Sequence, residues 1–193
     1  MKSISNFLII SIFLILSSGC NNTTNSSSST TTTSTTAATQ ANIAPKPPKQ
    51  TKSAGVTVAA KKASAKSGED VCVDIQVKGF QGVVSMQYSF NWDPAILKFK
   101  EVKAFNLKDL SAANFGVHVV KDGKMTFSWY DQAVQGITLA DNSTIHQICY
   151  TAEGKSGSKS KIQITQDPII VEITGNDGKQ KKFFTETSSV NVK

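Results

Sequence analysis

There is no arginine anywhere in the 193 residues, so all 21 basic side chains are lysines. A planar guanidinium fork is what recognises phosphates and base edges bidentately, and a chain without one is a poor candidate for nucleic-acid recognition. Histidine is nearly as scarce. His118 and His146 stand in no metal-ligating spacing, and no G-x-S-x-G elbow marks a nucleophile. Asp93, Asp131 and Asp141 are carboxylates of the kind that pair in glycoside chemistry, but Asp before Pro or in a loop more often binds local backbone. No catalytic residue, metal ligand or cofactor of its own is therefore expected, and the chain is read as a non-enzyme. Long apolar runs are missing too: residues 7–16 form one about half the roughly 20 residues that a spanning helix needs.

That short run sits in a recognisable setting. Lys2 gives a positive start, residues 7–16 an apolar middle, and Ser17-Ser18-Gly19-Cys20 a small-residue close before a cysteine. This is the pattern of a secretory signal over 1–20, and it resembles a bacterial lipoprotein lipobox, although Ser17 occupies the position where such boxes usually carry leucine. The resemblance implies lipidation of Cys20, export, and anchoring to the cell envelope through lipid, with the domain displayed at the surface. Two or more acyl chains would supply the anchoring that one chain gives only marginally. Residues 21–54 follow as a linker, Ser/Thr/Asn-rich and then Pro/Lys-rich through Pro45, Pro47 and Pro48. Nothing in it can recover its ordering entropy by burial, so it is expected to stay extended and solvated.

Residues 55–193 are of ordinary single-domain size. Along 83–92, Val84, Met86, Tyr88, Phe90 and Trp92 share one parity and Val83, Ser85, Gln87, Ser89 and Asn91 the other. Alternation of this kind predicts a strand with one buried and one polar face, ended by Asp93-Pro94. Similar runs at 55–61, 71–78, 97–102, 114–121, 124–130, 144–153, 161–166 with 169–174, and 183–192 bring the count to nine, separated by Gly/Asp/Asn turn signals. Asp122-Gly123 is expected to close a two-residue hairpin. The fold class is all-β, a sandwich or jelly roll.

If Cys20 carries lipid, Cys72 and Cys149 remain in an oxidising compartment. Parity places both on outer faces of strands, and adjacent antiparallel strands would bring them close enough to bridge. The formal charge of +7 owes more than half to Lys2 and the linker lysines, and the remaining lysines mix with Asp and Glu.

Gly68-Glu69-Asp70-Val71 before a strand, Gly82-Val83-Val84 leading into Phe90-Asn91-Trp92-Asp93-Pro94-Ala95-Ile96-Leu97, the run 124–131, and the closing Ser189-Val190-Asn191-Val192 together resemble a bacterial cellulosome-type cohesin domain. The resemblance spans the whole of 55–193 and implies a nine-stranded jelly-roll sandwich whose usual partner is a calcium-loaded dockerin. Calcium would then belong to the partner. The implied docking sheet presents Ser85, Gln87, Ser89, Asn91, Gly116, His118, Thr126, Ser128 and Tyr130, with Gln163 and Thr165 at its margin. Asp131 stands where such domains carry an acid, whereas Ser85 and Gln87 replace the Asn and Asp common there. The rival reading is a carbohydrate-binding module, which needs aromatic rings presented to solvent. Parity sends Trp92 and Trp129 inward and leaves Tyr130 outward, with loop aromatics such as Phe105 as further candidates. A protein partner is therefore favoured over direct attachment to polysaccharide.

Overall fold

The alternating run that ends at Asp93-Pro94 is the centre of one of two facing sheets. In a computed structural model of the chain, residues 55–193 are described; the signal-like segment, Cys20 and the linker lie outside the described residues. The strands are β1 Val56–Ala60, β2 Ala63–Ala65, β3 Asp70–Lys78, β4 Val83–Asn91, β5 Leu97–Lys103, β6 Phe115–Gly116, β7 Lys124–Tyr130, β8 Ser143–Ala152, β9 Lys159–Thr165, β10 Glu172–Gly175, β11 Phe183–Glu186 and β12 Ser188–Val192. A five-stranded sheet runs β11-β1-β3-β8-β5, and a seven-stranded sheet runs β2-β12-β9-β4-β7-β6 with β10 also paired to β4. The expected all-β sandwich is the observed fold.

Nine expected runs become twelve strands for local reasons. The run 183–192 divides at Thr187, so that β11 pairs with β1 in one sheet and β12 with β2 and β9 in the other. The run 161–174 divides into β9 and β10, which share the same edge of β4 end to end. Short β2 is the addition.

The expected strand at 114–121 is a correction. Only Phe115–Gly116 pairs, and Gly116 is required there because a Cβ would lie 2.2 Å from Thr126 Oγ1. Beyond it, Val117 and His118 are exposed and the chain makes a 3-10 turn at Val120–Asp122. Asp122-Gly123 is consequently not a two-residue hairpin. Gly123, at φ 71°, caps that turn with its N–H on Val120 O at 3.1 Å. Its carbonyl accepts from Trp92 N at 2.9 Å, fastening the turn to the end of β4.

Between the sheets pack Val58, Val73, Ile75, Ile148 and Tyr150 from one side and Met86, Tyr88, Phe90, Phe127 and Ile162 from the other. Trp92 and Trp129 are both buried, as parity requires. Their indole N–H groups donate to Leu97 O (3.0 Å) and Lys108 O (2.8 Å), so neither ring leaves a polar atom unpaired. Removing either to alanine would cost about 3–5 kcal/mol. Alternation fails at one point on β4. Val83 is buried and Val84 only half-buried, the reverse of expectation, because the pairing with β10 shifts register between Thr174 and Gly175.

A second irregularity, between Ile75 and Gln76 on β3, lets consecutive Ile145 and His146 of β8 both enter the core. His146 lies against Phe90, Phe115 and Phe127, with ring centroids 5.9, 4.9 and 5.5 Å away. Burial drives its pKa down to about 3, and the Gln147 backbone offsets this only weakly.

Candidate functional site

Antiparallel register turns the outer face of the seven-stranded sheet into cross-strand rows. Gln163, Asn91 and Lys124 form one; Thr165, Ser89, Thr126 and Gly116 the next; then Glu172, Gln87 and Ser128; then Thr174, Ser85 and Tyr130. Ser85, Gln87, Ser128, Tyr130 and Glu172 rim a shallow depression of 160 Å³ floored by Met86 and Trp129. Tyr130 rises from it 62% exposed, a large ring held on a rigid strand. At the opposite end Asn91, Gln163, Lys124, Lys159 and Lys161 line a wider polar cleft of 490 Å³.

Three of the expected face residues are placed differently. Ser89 is fully buried, because its hydroxyl bonds to both backbone groups of Ile169, accepting from N at 3.1 Å and donating to O at 3.3 Å. The segment 166–171 thus passes over it as a strap. Asp131 is 1% exposed. Its carboxylate accepts from the backbone N–H groups of Ala133 (3.2 Å), Gln135 (3.0 Å) and Gly136 (2.9 Å), with Lys108 Nζ at 3.5 Å. Burial alone would raise the pKa of this carboxyl, but those three donors and the lysine outweigh it and hold it below the usual range. Asp131 therefore organises the loop after β7 and is buried rather than exposed on the face. His118 is exposed, on the loop after β6 rather than on a strand.

Ser85, Gln87, Asn91, Thr126, Ser128 and Tyr130 do share the outer face. Gln87 is lightly engaged, its amide nitrogen 3.5 Å from Ile170 O, while the Asn91 amide, in the flipped orientation that satisfies its neighbours, donates to Asp167 O at 3.3 Å. Ile170, 63% exposed on the strap, and half-buried Glu172 on β10 are face residues that parity did not reveal. Ile169-Ile170-Val171 resembles a core strand in composition, and only the long-range fastening of Ile169 to Ser89 turns Ile170 outward.

The other carboxylates are spent as local logic expects. Asp93 Oδ1 accepts from Ala95 N (2.9 Å) and Asp141 Oδ1 from Gly79 N (2.8 Å). Among the described residues no group of three or more His, Cys, Asp and Glu could hold a metal ion, and no helix is long and apolar enough to cross a membrane. Phe105, a candidate sugar contact, packs against Phe115 at 6.1 Å and is drawn into the core margin.

On the five-stranded sheet, Cys72 and Cys149 are directly opposed, with Cα atoms 4.0 Å apart, and joined by a disulfide. The short separation fits a non-hydrogen-bonded pair. Cys72 is half-buried, whereas Cys149, between β3 and β5, is 1% exposed rather than outward and open.

The family profile described as the cohesin domain matches residues 56–192. Among solved structures, the chain is similar to the type I cohesin of the Coh-OlpA–Doc918 cohesin–dockerin complex from Clostridium thermocellum. Identity is 16%, the match covers 72% of this chain and 99% of that one, and the TM-score is 0.62. CaCohA2 from Clostridium acetobutylicum is similar at 15% identity, 72% and 90% coverage, and a TM-score of 0.58. A non-cellulosomal cohesin from the archaeon Archaeoglobus fulgidus is similar at 17% identity, 72% and 92% coverage, and a TM-score of 0.57. No curated protein matches the chain by sequence.

Proposed function

Because this chain belongs to the cohesin family, we propose that it is a non-catalytic binding module that receives a dockerin-type protein on the outer face of its seven-stranded sheet. The observation that carries the reading is Tyr130, 62% exposed on a face where the outward Ser85, Thr126 and Ser128 hydroxyls donate no hydrogen bond among the described residues. An aromatic anchor next to unspent hydrogen-bonding groups on a rigid sheet is what a protein interface uses as its energetic centre. Calcium would reside in the partner.

Attachment to the envelope through a lipid on Cys20, with residues 21–54 as spacer, would present this face to extracellular partners, including enzymes of polysaccharide degradation. The rival, direct sugar binding, is weakened by the burial of both tryptophans, which leaves Tyr130 without a second exposed aromatic ring on its sheet face. Titration of the purified domain against a panel of calcium-loaded dockerins tests the reading. Saturable binding that is lost on calcium removal and in Tyr130→Ala supports it. Retention on cellulose or chitin, lost in Tyr130→Ala and without dockerin binding, would establish the rival. Mass spectrometry of the membrane fraction, with Cys20→Ser as control, tests the anchor.

A further inference from the structure

The five-stranded sheet ends in β5 and β11, and the seven-stranded sheet in β2 and β6. β2 and β6 are three and two residues long, too short to template another strand. β5 is longer, but a bulge between Phe99 and Glu101 bends it, and Lys98, Lys100 and Lys103 add the charge that blunts an edge. β11 has no bulge and no charge before Glu186. Its register with β1 is unbroken, Val56, Thr57, Val58 and Ala59 facing Phe183, Phe184, Thr185 and Glu186. Phe183 stacks on Tyr88 in the core, ring centroids 6.1 Å apart, so Phe184 turns outward and stands 48% exposed.

Bonding to β1 determines which backbone groups of β11 remain. Val56 N donates to Lys182 O at 2.8 Å, and a parallel ladder engages alternate residues, so Lys182, Phe184 and Glu186 direct their backbone groups at β1. The N–H and C=O of Phe183 and Thr185 point the opposite way, where the sheet has no further strand. The side chains of Lys182, Phe184 and Glu186 share the parity of the sheet's outer face, in keeping with the 2.7 Å pair between Glu186 and Lys78.

We propose that β11 is a self-association edge that takes β11 of a second copy of this chain, antiparallel, across a two-fold axis at Phe184. In that register Phe183 lies opposite Thr185 of the second copy, and the two exchange both backbone hydrogen bonds; the axis repeats the pair on its other side. The Phe184 rings meet at the axis as a non-hydrogen-bonded pair, where side chains come closest. Lys182 of each copy then faces Glu186 of the other. Neighbouring registers lose this match, since centring on Phe183 sets Lys182 against Phe184 and centring on Thr185 sets Phe184 against Glu186. Lys182-Phe183-Phe184-Thr185-Glu186 is thus complementary in charge to its own reverse. An isologous contact of this kind is closed and stops at two. The short edge makes a small interface, which puts the dimer in the weak, transient class. Its axis is perpendicular to the sheet, so both seven-stranded faces would point to the same side and could grip one bivalent partner together.

The test is sedimentation velocity on residues 20–193, which contain the whole core, with Cys20→Ser so that no lipid contributes. Expected is a reversible shift from monomer to dimer between about 10 µM and about 1 mM. Phe184→Ala and Thr185→Pro should each weaken it roughly tenfold or more. The proline removes only an N–H on the open side, which an edge strand tolerates, and unchanged thermal unfolding is the folding control. Lys182→Glu and Glu186→Lys should each suppress self-association by opposing like charges, whereas mixing the two variants should restore a dimer, because each copy supplies the sign the other lacks. A chain that stays monomeric at about 1 mM overturns the proposal. So does association that survives Phe184→Ala and Thr185→Pro, association that grows beyond two, or a mixture of the charge variants that stays monomeric. Dockerin titration reads the other sheet, so failure of one reading leaves the other standing.

Discussion

On the outer face of the five-stranded sheet, Asp74 accepts from Gln147 (2.8 Å), Asp70 accepts from Thr151 (2.8 Å) and is paired with Lys100, Gln76 donates to Thr144 (3.2 Å), and Cys72 is bonded to Cys149. On the outer face of the seven-stranded sheet, Ser85, Thr126, Ser128 and Tyr130 have no side-chain hydrogen bond among the described residues, and Tyr130 stands exposed. Both faces are built from the same alternating strands. One has spent its polar groups on itself and the other has kept them available. A face whose donors and acceptors are already paired gains little by meeting a partner, because each new contact must first break an old one. On the proposed docking face, binding capacity would thus follow from which polar residues are left without neighbours of matching chemistry, more than from how polar the face is.

That contrast can be broken in order of size. Replacing both cysteines, Cys72→Ala with Cys149→Ala, opens a cross-link of sequence separation 77. The expected loss is about 4 kcal/mol of stability, read by chemical denaturation, with dockerin binding at temperatures below unfolding unchanged. Binding lost in proportion to stability would mean that the two faces are not independent.

His146 comes next, because its ring on β8 touches Phe115 and Phe127 beneath the other sheet. Its folded pKa of about 3 lies below the ordinary 6.5, so the unfolded chain binds the extra proton between those values. Its contribution to stability is therefore complete above about pH 6.5 and falls by about 1.4 kcal/mol per pH unit towards pH 3. Denaturation at a series of pH values should show that slope in wild type and lose it in His146→Leu.

Tyr130→Ala should weaken partner binding by about 2 kcal/mol, about thirtyfold in Kd by calorimetry, without moving the melting temperature. Smallest is Lys78→Ala on the five-stranded sheet. The pair it breaks with Glu186 is 41% and 56% exposed, so a stability change of about 0.5 kcal/mol and no change in binding are expected.

Much of this was legible in the residues themselves. Alternation identified the inward row from Met86 to Trp92 on β4, sent Trp129 inward and Tyr130 outward on β7, and placed Cys72 and Cys149 on outer faces where adjacent strands could bridge them, since each follows from a period of two along a strand. Parity reports which way a side chain leaves its own strand and is silent about what later covers it. Ser89 has outward parity and is roofed by residues 77 to 82 positions further on. Asp131 is one step beyond β7, where the chain folds back and fills its carboxylate with backbone donors. Irregularities in register are equally hidden. Nothing local in Val83-Val84 or Ile145-His146 announces that Val84 and Ile145 are skipped in the pairing, because the register is set only against β10 and β3.

The first and last strands of the domain make the same move. β1 and β11 lie parallel in one sheet, β2 and β12 parallel in the other, and the chain crosses between sheets at 61–62 and again at Thr187. Tension entering at residue 55 along the strand would load the hydrogen bonds of β1 to β11 and to β3 together, in shear, instead of peeling them one at a time. A domain held at that end while its far sheet grips a load is thereby fastened at the point where the pull arrives.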